Sequence, residues 1–317
     1  MKYGNENRAI HYKERADMTL APIVLFVYNR PLHTRTVVEA LQKNDLATHS
    51  DLFVYSDGPK TTTERKAVTE VRDYIRSVTG FKSVTLIERD SNFGCANSIV
   101  HGVSEIVNRF GQIIVVEDDI LTSPYFLKFM NEGLDFYRDN DKVACIHGYV
   151  YPVDVRLPET FFIRGTDNWG WATWKRGWDL YEPDCEKLLK ELYLRNLANE
   201  FDFNGSYDYT EILKDQIAGK LDAWDIRWLA AAFLQGKLTL YPGKALVCNI
   251  GLDGSGTHCG TTDTFDTYLA ESPVQIKRIL IKENQRCRRA FSRYFKPTEI
   301  GYVEKFAERL RSLFQIY

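Results

Sequence analysis

The chain has no run of eighteen apolar residues, so no transmembrane helix is expected. Residues 1–20 are polar and charged and lack the apolar centre of a secretory signal. They read as a mobile leader. A cytoplasmic protein is expected, or one held peripherally at the inner face of a membrane. No C-x-x-C pair occurs. Cys95, Cys145, Cys185, Cys248, Cys259 and Cys287 stand singly, which argues against a zinc ribbon or a thioredoxin-type site and fits a reducing compartment. There is no excess of either charge: 41 Lys and Arg against 43 Asp and Glu leave a net charge of −2, too little to steer nucleic acid. Fixed-period repeats, low-complexity tracts and a G-x-x-x-x-G-K-[ST] phosphate loop are also lacking.

What is present is length and aromatic bulk. The 317 residues suffice for one large α/β domain or two small ones, and 13% are aromatic. Such a surplus suits both a carbohydrate-handling cleft and a large core.

Along residues 21–140, apolar β-rich runs alternate with helical periodicity. APIVLFVYN (21–29), DLFVYSDGP (51–59), SVTLIERD (83–90) and QIIVVEDD (112–119) read as strands, with helices over 33–44, 62–79, 97–110 and 124–137. Alternation of this kind predicts an α/β fold, Rossmann-like, with a mainly parallel sheet flanked by helices. Residues 141–275 are less periodic. They hold a Trp-rich segment (168–178), a helical stretch over 186–200, the run LDAWDIRWLAAAFLQG (221–236), and two strands around a Pro-Gly turn over 237–251. This half is expected to complete the same domain on its acceptor side. Residues 276–317 form a basic tail with eleven Lys and Arg against four Asp and Glu.

The strongest local signal is Glu117-Asp118-Asp119, directly after the apolar IIVV. In open α/β sheets ligands bind beyond the carboxyl ends of strands. Three adjacent carboxylates repel one another unless a cation compensates, and a hard divalent ion is the natural one. If strand geometry persists, residues 117 and 119 face one way and 118 the other. The other three strands end in Asn29-Arg30-Pro31, in Ser56-Asp57-Gly58-Pro59, and in Arg89, Asp90, Asn92 and Gly94. Polar residues thus gather on the edge where a nucleotide would lie, with Asn29, Arg30, Asp57, Arg89 and Asn92 as candidate donor contacts.

The ordered set YNRP, SDGP, RDSNFGCANS, VVEDDILTSPYFLKFMN and WGWATWKRGW resembles GT-A glycosyltransferases over about residues 21–260. The branch in question surrounds the Golgi enzyme that adds N-acetylglucosamine to the mannose core of N-glycans. Bacterial glycosyltransferases of surface polysaccharide or lipopolysaccharide synthesis share the same run of motifs. The resemblance implies a GT-A fold and inverting transfer from a nucleotide-sugar donor, with uridine diphosphate as carrier and Mn²⁺ (or Mg²⁺) as cofactor. It makes Asp119 the metal ligand, Glu117 and Asp118 donor contacts, Asp57 the uridine contact and Arg89 a donor-site residue. The family's Trp-Asp-Asp-Trp segment, which supplies its catalytic base, corresponds here to Trp224-Asp225-Ile226-Arg227-Trp228. Asp225 matches the first acid, and Ile226 replaces the second. Gly254-Ser255-Gly256-Thr257-His258 resembles a late family loop whose His approaches the metal or diphosphate, so His258 is a candidate second ligand.

Residue chemistry adds two further candidates. Sugar rings present C–H faces that stack on indoles. Trp169 and Trp171, either side of Gly170, are the expected exposed acceptor-binding pair. His101 and His147 are assigned to structure. The basic tail carries Phe291, Tyr294, Phe295, Phe306, Leu310, Leu313 and Phe314 among its cations. It fits either peripheral contact with an anionic membrane bearing a lipid-linked glycan acceptor, or a helix packed on the domain. Two rival functions stand beside the transferase. A sugar-nucleotide pyrophosphorylase would need a Gly-rich loop after the first strand, where this chain has NRPLHTR. A non-catalytic carbohydrate- or nucleotide-binding protein would keep the fold without the reaction.

Overall fold

A computed structural model describes residues 19–254 and 262–296. Its first half alternates strand and helix: β1 (Ile23–Val27), α1 (Pro31–Gln42), β2 (Asp51–Ser56), α2 (Arg65–Arg76), β3 (Ser83–Glu88), α3 (Cys95–Phe110) and β4 (Gln112–Glu117). A short strand β5 (Ile120–Thr122) and α4 (Phe126–Phe136) follow. The second half comprises β6 (Val143–His147), β7 (Thr160–Arg164), β8 (Trp171–Trp174), α5 (Lys175–Trp178), α6 (Cys185–Leu194), α7 (Ala198–Phe201), α8 (Tyr209–Ile217), α9 (Asp225–Leu234), β9 (Leu238–Pro242), β10 (Val247–Asn249) and α10 (Gln285–Phe295).

Eight strands form one mixed sheet in the order β3-β2-β1-β4-β8-β6-β9-β7. β1 to β4 are mutually parallel, and β6 and β9 run the same way, so only β7 and β8 are reversed. The α/β expectation, with a mainly parallel sheet and flanking helices, describes the molecule. Parallel pairing requires crossover helices, which cover both faces of the sheet. The side-chain period of two then divides β1 between two cores. Ile23, Leu25 and Val27 face α1, packing with Val37, Val38 and Leu41. Val24 and Phe26 face α3, packing with Ile99, Val103 and Ile106.

Local sequence sets the element ends. Pro31 occupies the first turn of α1, where its missing N–H costs nothing. Gly111 closes α3 in the left-handed conformation at φ 78°, its N–H bonded to the Val107 carbonyl. Because β1 to β4 are parallel, their carboxyl ends lie on one edge, and the polar clusters of residues 29–31, 56–59, 89–94 and 117–119 gather there.

Two features of the second half complete that edge. β10 pairs antiparallel with β5, Asn249 opposite Ile120, which lays residues 249–252 beside the acidic triplet. Helices α6, α8 and α9 pack around a core of their own that includes Leu188, Leu192, Leu213, Ile226 and Phe233. The described part of the tail docks on the domain. Phe291 of α10 is buried against Phe161 and Tyr241, and Arg288 is buried in an ion pair with Glu283 at 2.9 Å. Phe291 is therefore a packing residue, not a membrane-facing one: a helix this short has one apolar face, and here the protein's own aromatics cover it. Residues 297–317, with the rest of the apolar tail positions, lie outside the described residues. Among the described residues no helix is long and apolar enough to cross a membrane.

Candidate active site

A cavity of about 440 Å³ opens at the carboxyl edge of the sheet, between the acidic triplet and the start of α9. Glu117 and Asp119 line it, whereas Asp118, 3% exposed, turns to the other side. This is the alternation a continuing strand imposes. Asp118 accepts a hydrogen bond from the Tyr28 N–H at 3.3 Å and is ion-paired with Arg30. The same guanidinium reaches Asp119 Oδ2 at 3.0 Å. Burial works against the Arg30 charge, but the two carboxylates outweigh it and raise its pKa. Glu117 has its pKa raised well above the usual carboxylate range by burial and by the charges of Asp119, Asp118 and Asp225, with Arg30 opposing. The charged form of Glu117 is therefore disfavoured unless a cation joins the cluster.

The β5–β10 ribbon presses backbone onto this cluster. The Ile250 N–H donates to the Asp119 carbonyl at 2.8 Å. A Cβ at Gly251 would sit 2.3 Å from Asp119 Oδ2 and 2.9 Å from an Arg30 nitrogen, so only glycine fits. Gly251→Ala is expected to displace the Asp119 carboxylate and to weaken at least tenfold the binding of any ion or nucleotide which that carboxylate helps to hold, while melting shifts by only a few degrees. Calorimetric titration of wild type and variant checks both. Unchanged nucleotide affinity would show that the close packing is immaterial.

Asp225 is the first residue of α9 and lines the cavity, close enough to Glu117 to raise its pKa. Its Oδ1 accepts from the Ile226 N–H and its Oδ2 from Asn168 Nδ2, both at 2.9 Å. Neighbouring Trp224 and Trp228 are buried in a cluster with Trp171 and Trp178, which anchors the start of the helix. Arg227 turns instead to Asp222, at 3.3 Å, and to the Tyr181 hydroxyl, at 3.2 Å. Position 226 faces the α6–α8–α9 core at 3% exposure, which explains an apolar residue there.

Trp169 lines the cavity, half-buried, edge-on to Tyr149 and Phe265. Trp171 does not join it. It is fully buried on β8, with its indole 4.6 Å from that of Trp228, so the exposed pair is corrected to Trp169 alone. The positive φ of Gly170 (59°) and the strand that follows turn residue 171 into the core. His147 is likewise buried, and burial lowers its pKa. Its Nε2 accepts from the Trp169 N–H at 3.2 Å.

Four further sequence candidates, Asp57, Asn92, Arg89 and Asn29, are not among the described lining residues. Asp57 accepts from the N–H groups of Gly58, Phe93 and Gly94 at 2.8–3.0 Å, fixing the loop before α3. Asn92 donates to the Gly58 carbonyl at 2.8 Å and ties the same loop to β2. Arg89, 8% exposed, stacks on Phe93 at 4.0 Å. Asn29 donates to Glu64 at 3.2 Å. Asp57, Asn92 and Arg89 thus order one loop, and Asn29 is held by Glu64. His258 lies outside the described residues.

Other residues line the cavity without a local sequence signal. Cys95, the first residue of α3, lines the cavity while remaining exposed to solvent. Thr166 and Asp167, just before the Trp-rich run, and Tyr207 and Tyr209, around the start of α8, line it as well. Nothing in their local pattern marks them, since only tertiary packing gathers them.

Among the described residues no three His, Cys, Asp or Glu side chains are grouped so as to hold a metal unaided. Mg²⁺-type ions, however, commonly take one or two carboxylates together with substrate phosphates. Glu117 and Asp119, both cavity-facing, are the kind of carboxylates such a shared site uses.

No family model matches the chain, and neither does any curated protein. Among solved structures it is similar to S. aureus TarS residues 1–349 at 13% identity and TM-score 0.42, over 72% of this chain and 60% of that one. It is also similar to the mannosyltransferase PcManGT from Pyrobaculum calidifontis, solved with GDP-Man and Mn²⁺, at 10% identity and TM-score 0.35 over 70% and 73%. A third likeness is to a UDP-glucose pyrophosphorylase complexed with UDP-glucose, at 11% identity and TM-score 0.36 over 71% and 90%.

Proposed function

We propose that the protein is a metal-dependent, inverting glycosyltransferase that moves a sugar from a nucleoside diphosphate sugar to a hydroxyl of a glycan or glycolipid. Uridine is the expected nucleoside. One observation carries the reading: Glu117 and Asp119, at the end of a central parallel strand, share a cavity with Asp225 on the opposing helix start. A cation-binding cluster and a carboxylate base on facing walls are what displacement at an anomeric carbon needs.

On this reading Asp119 would hold Mn²⁺ or Mg²⁺ together with the donor diphosphate, with Glu117 beside it. The ion, when bound, offsets the charge that grows on the leaving diphosphate. Asp225 accepts the proton of the acceptor hydroxyl. The oxygen forms its bond to the anomeric carbon as the bond from that carbon to the phosphate oxygen breaks, and the electron pair departs with the nucleoside diphosphate. Asn168 Nδ2 holds Asp225 in place, and the Ile226 N–H stabilises its charge. Arg30 holds the Asp118 and Asp119 carboxylates in place. Asp57, Asn92 and Arg89 shape the nucleoside rim.

A panel of UDP-, GDP-, dTDP- and CMP-sugars tests the reading through slow donor hydrolysis. Turnover is expected with a UDP-sugar in Mn²⁺ or Mg²⁺ and its loss is expected in chelator. Equal turnover in chelator would remove the metal. Tight nucleotide binding with no turnover under any condition would favour a binding protein.

A further inference from the structure

Beyond the triplet and Asp225, the cavity wall holds a second polar cluster, on residues 166–169. Thr166 is 4% exposed and lines the cavity, yet its buried Oγ1 has no hydrogen-bond partner. Buried hydroxyls are nearly always paired, so this one leaves unused hydrogen-bonding capacity in the cavity wall. Asp167 beside it lines the cavity too. Its Oδ2 accepts from the Tyr241 hydroxyl at 2.7 Å and its Oδ1 from the Asn168 N–H at 2.9 Å. Its nearest histidine, His147 at 3.6 Å, is fully buried, which disfavours the charged imidazolium. These partners fix the carboxylate without cancelling its charge. Trp169 continues the same segment and presents an indole to the cavity. Asn168 links the segment directly to Asp225. Among the described lining residues the one cation is Arg30, already engaged by Asp118 and Asp119.

We propose that residues 166–169 form the acceptor-ring subsite, and that Asp167 makes it selective for uncharged or amino-bearing sugars over acidic ones. The inference rests on the transferase reading and names its acceptor class. A carboxylate accepts only, so Asp167 takes hydrogen bonds from ring hydroxyls or pairs with an ammonium. The free Thr166 hydroxyl completes the polar edge, and Trp169 offers the stacking face. A uronate, phosphate or sulfate on that ring would meet Asp167 and Asp225 with no described cation to match it, and like charges brought together across an interface are strongly disfavoured.

Saturation-transfer difference NMR on the full chain with UDP and Mg²⁺ tests this. The probes are matched triads of methyl glycoside, methyl glycosaminide and methyl uronate in gluco, galacto and manno configuration. The neutral and amino members of at least one triad should bind about tenfold or more better than the uronate. Asp167→Asn should narrow that ratio, and Thr166→Val should weaken the neutral sugar without restoring the uronate. UDP affinity should be unchanged in both variants. A uronate bound as well as its neutral partner, a ratio untouched by Asp167→Asn, or no bound sugar at all while UDP still binds would each overturn the proposal. Loss of UDP binding in the wild type would instead remove the donor reading on which it stands.

Discussion

Replacing Asp119 with alanine is expected to lower metal-dependent turnover of the nucleotide-sugar donor by about a thousandfold, the scale seen when one preorganised charge-stabilising group is removed from an active site. Such a loss corresponds to about 4 kcal/mol in the barrier. The side chain does little for the fold. It is 18% exposed and pairs with Arg30, which keeps Asp118. The backbone bond from the Ile250 N–H to the Asp119 carbonyl survives any substitution. Circular dichroism and melting should therefore stay near wild type while turnover collapses. Asp119→Asn, which keeps the shape and removes the charge, should behave nearly as badly. Turnover within threefold of wild type in either variant would show that this carboxylate does not stabilise the leaving group.

Asp225→Asn probes the other wall. General-base removal costs about 10²- to 10⁴-fold, and here the effect should fall on kcat with donor affinity unchanged. Asparagine can still accept from the Ile226 N–H and from Asn168 Nδ2, so the start of α9 stays in place. What is lost is the capacity to take a proton from the acceptor. Steady-state transfer together with calorimetric donor binding separates the two effects. If kcat is retained, or if donor binding falls as far as kcat, the proton acceptor lies elsewhere.

The fold was legible where hydrophobic period and turn chemistry agreed. β1 to β4 and the helices between them lie within a few residues of their expected bounds, because parallel strands covered on both faces must be apolar throughout. The facing of Glu117 and Asp119 away from Asp118 followed from strand period alone. Less visible was β7, whose five residues TFFIR are too short to distinguish strand from helix. α8 also escaped, because YTEILKDQI buries only Thr210 and Leu213 and shows little apolar stripe.

The candidate site divides in the same way. Its acids follow an apolar strand and stand out. Thr166, Asp167 and Tyr209 come together only through β7, β9 and the helical cluster, whose mutual placement no local pattern encodes. Trp171 shows the converse: a crowded Trp run suggested exposed stacking, yet strand β8 needs its indole in the core, against Trp178, Trp224 and Trp228. Asp57, Asn92 and Arg89 sit on the expected edge, but their side chains are spent on one another's loops, which sequence cannot weigh against ligand contact.

Anomalous diffraction from a crystal grown with UDP and Mn²⁺ addresses the central claim most directly. A manganese peak is expected at the Asp119 carboxylate, shared with the diphosphate oxygens and lost in Asp119→Ala. A peak held elsewhere with Asp119 still paired to Arg30, or UDP seated in the cavity with no metal beside it, would contradict it.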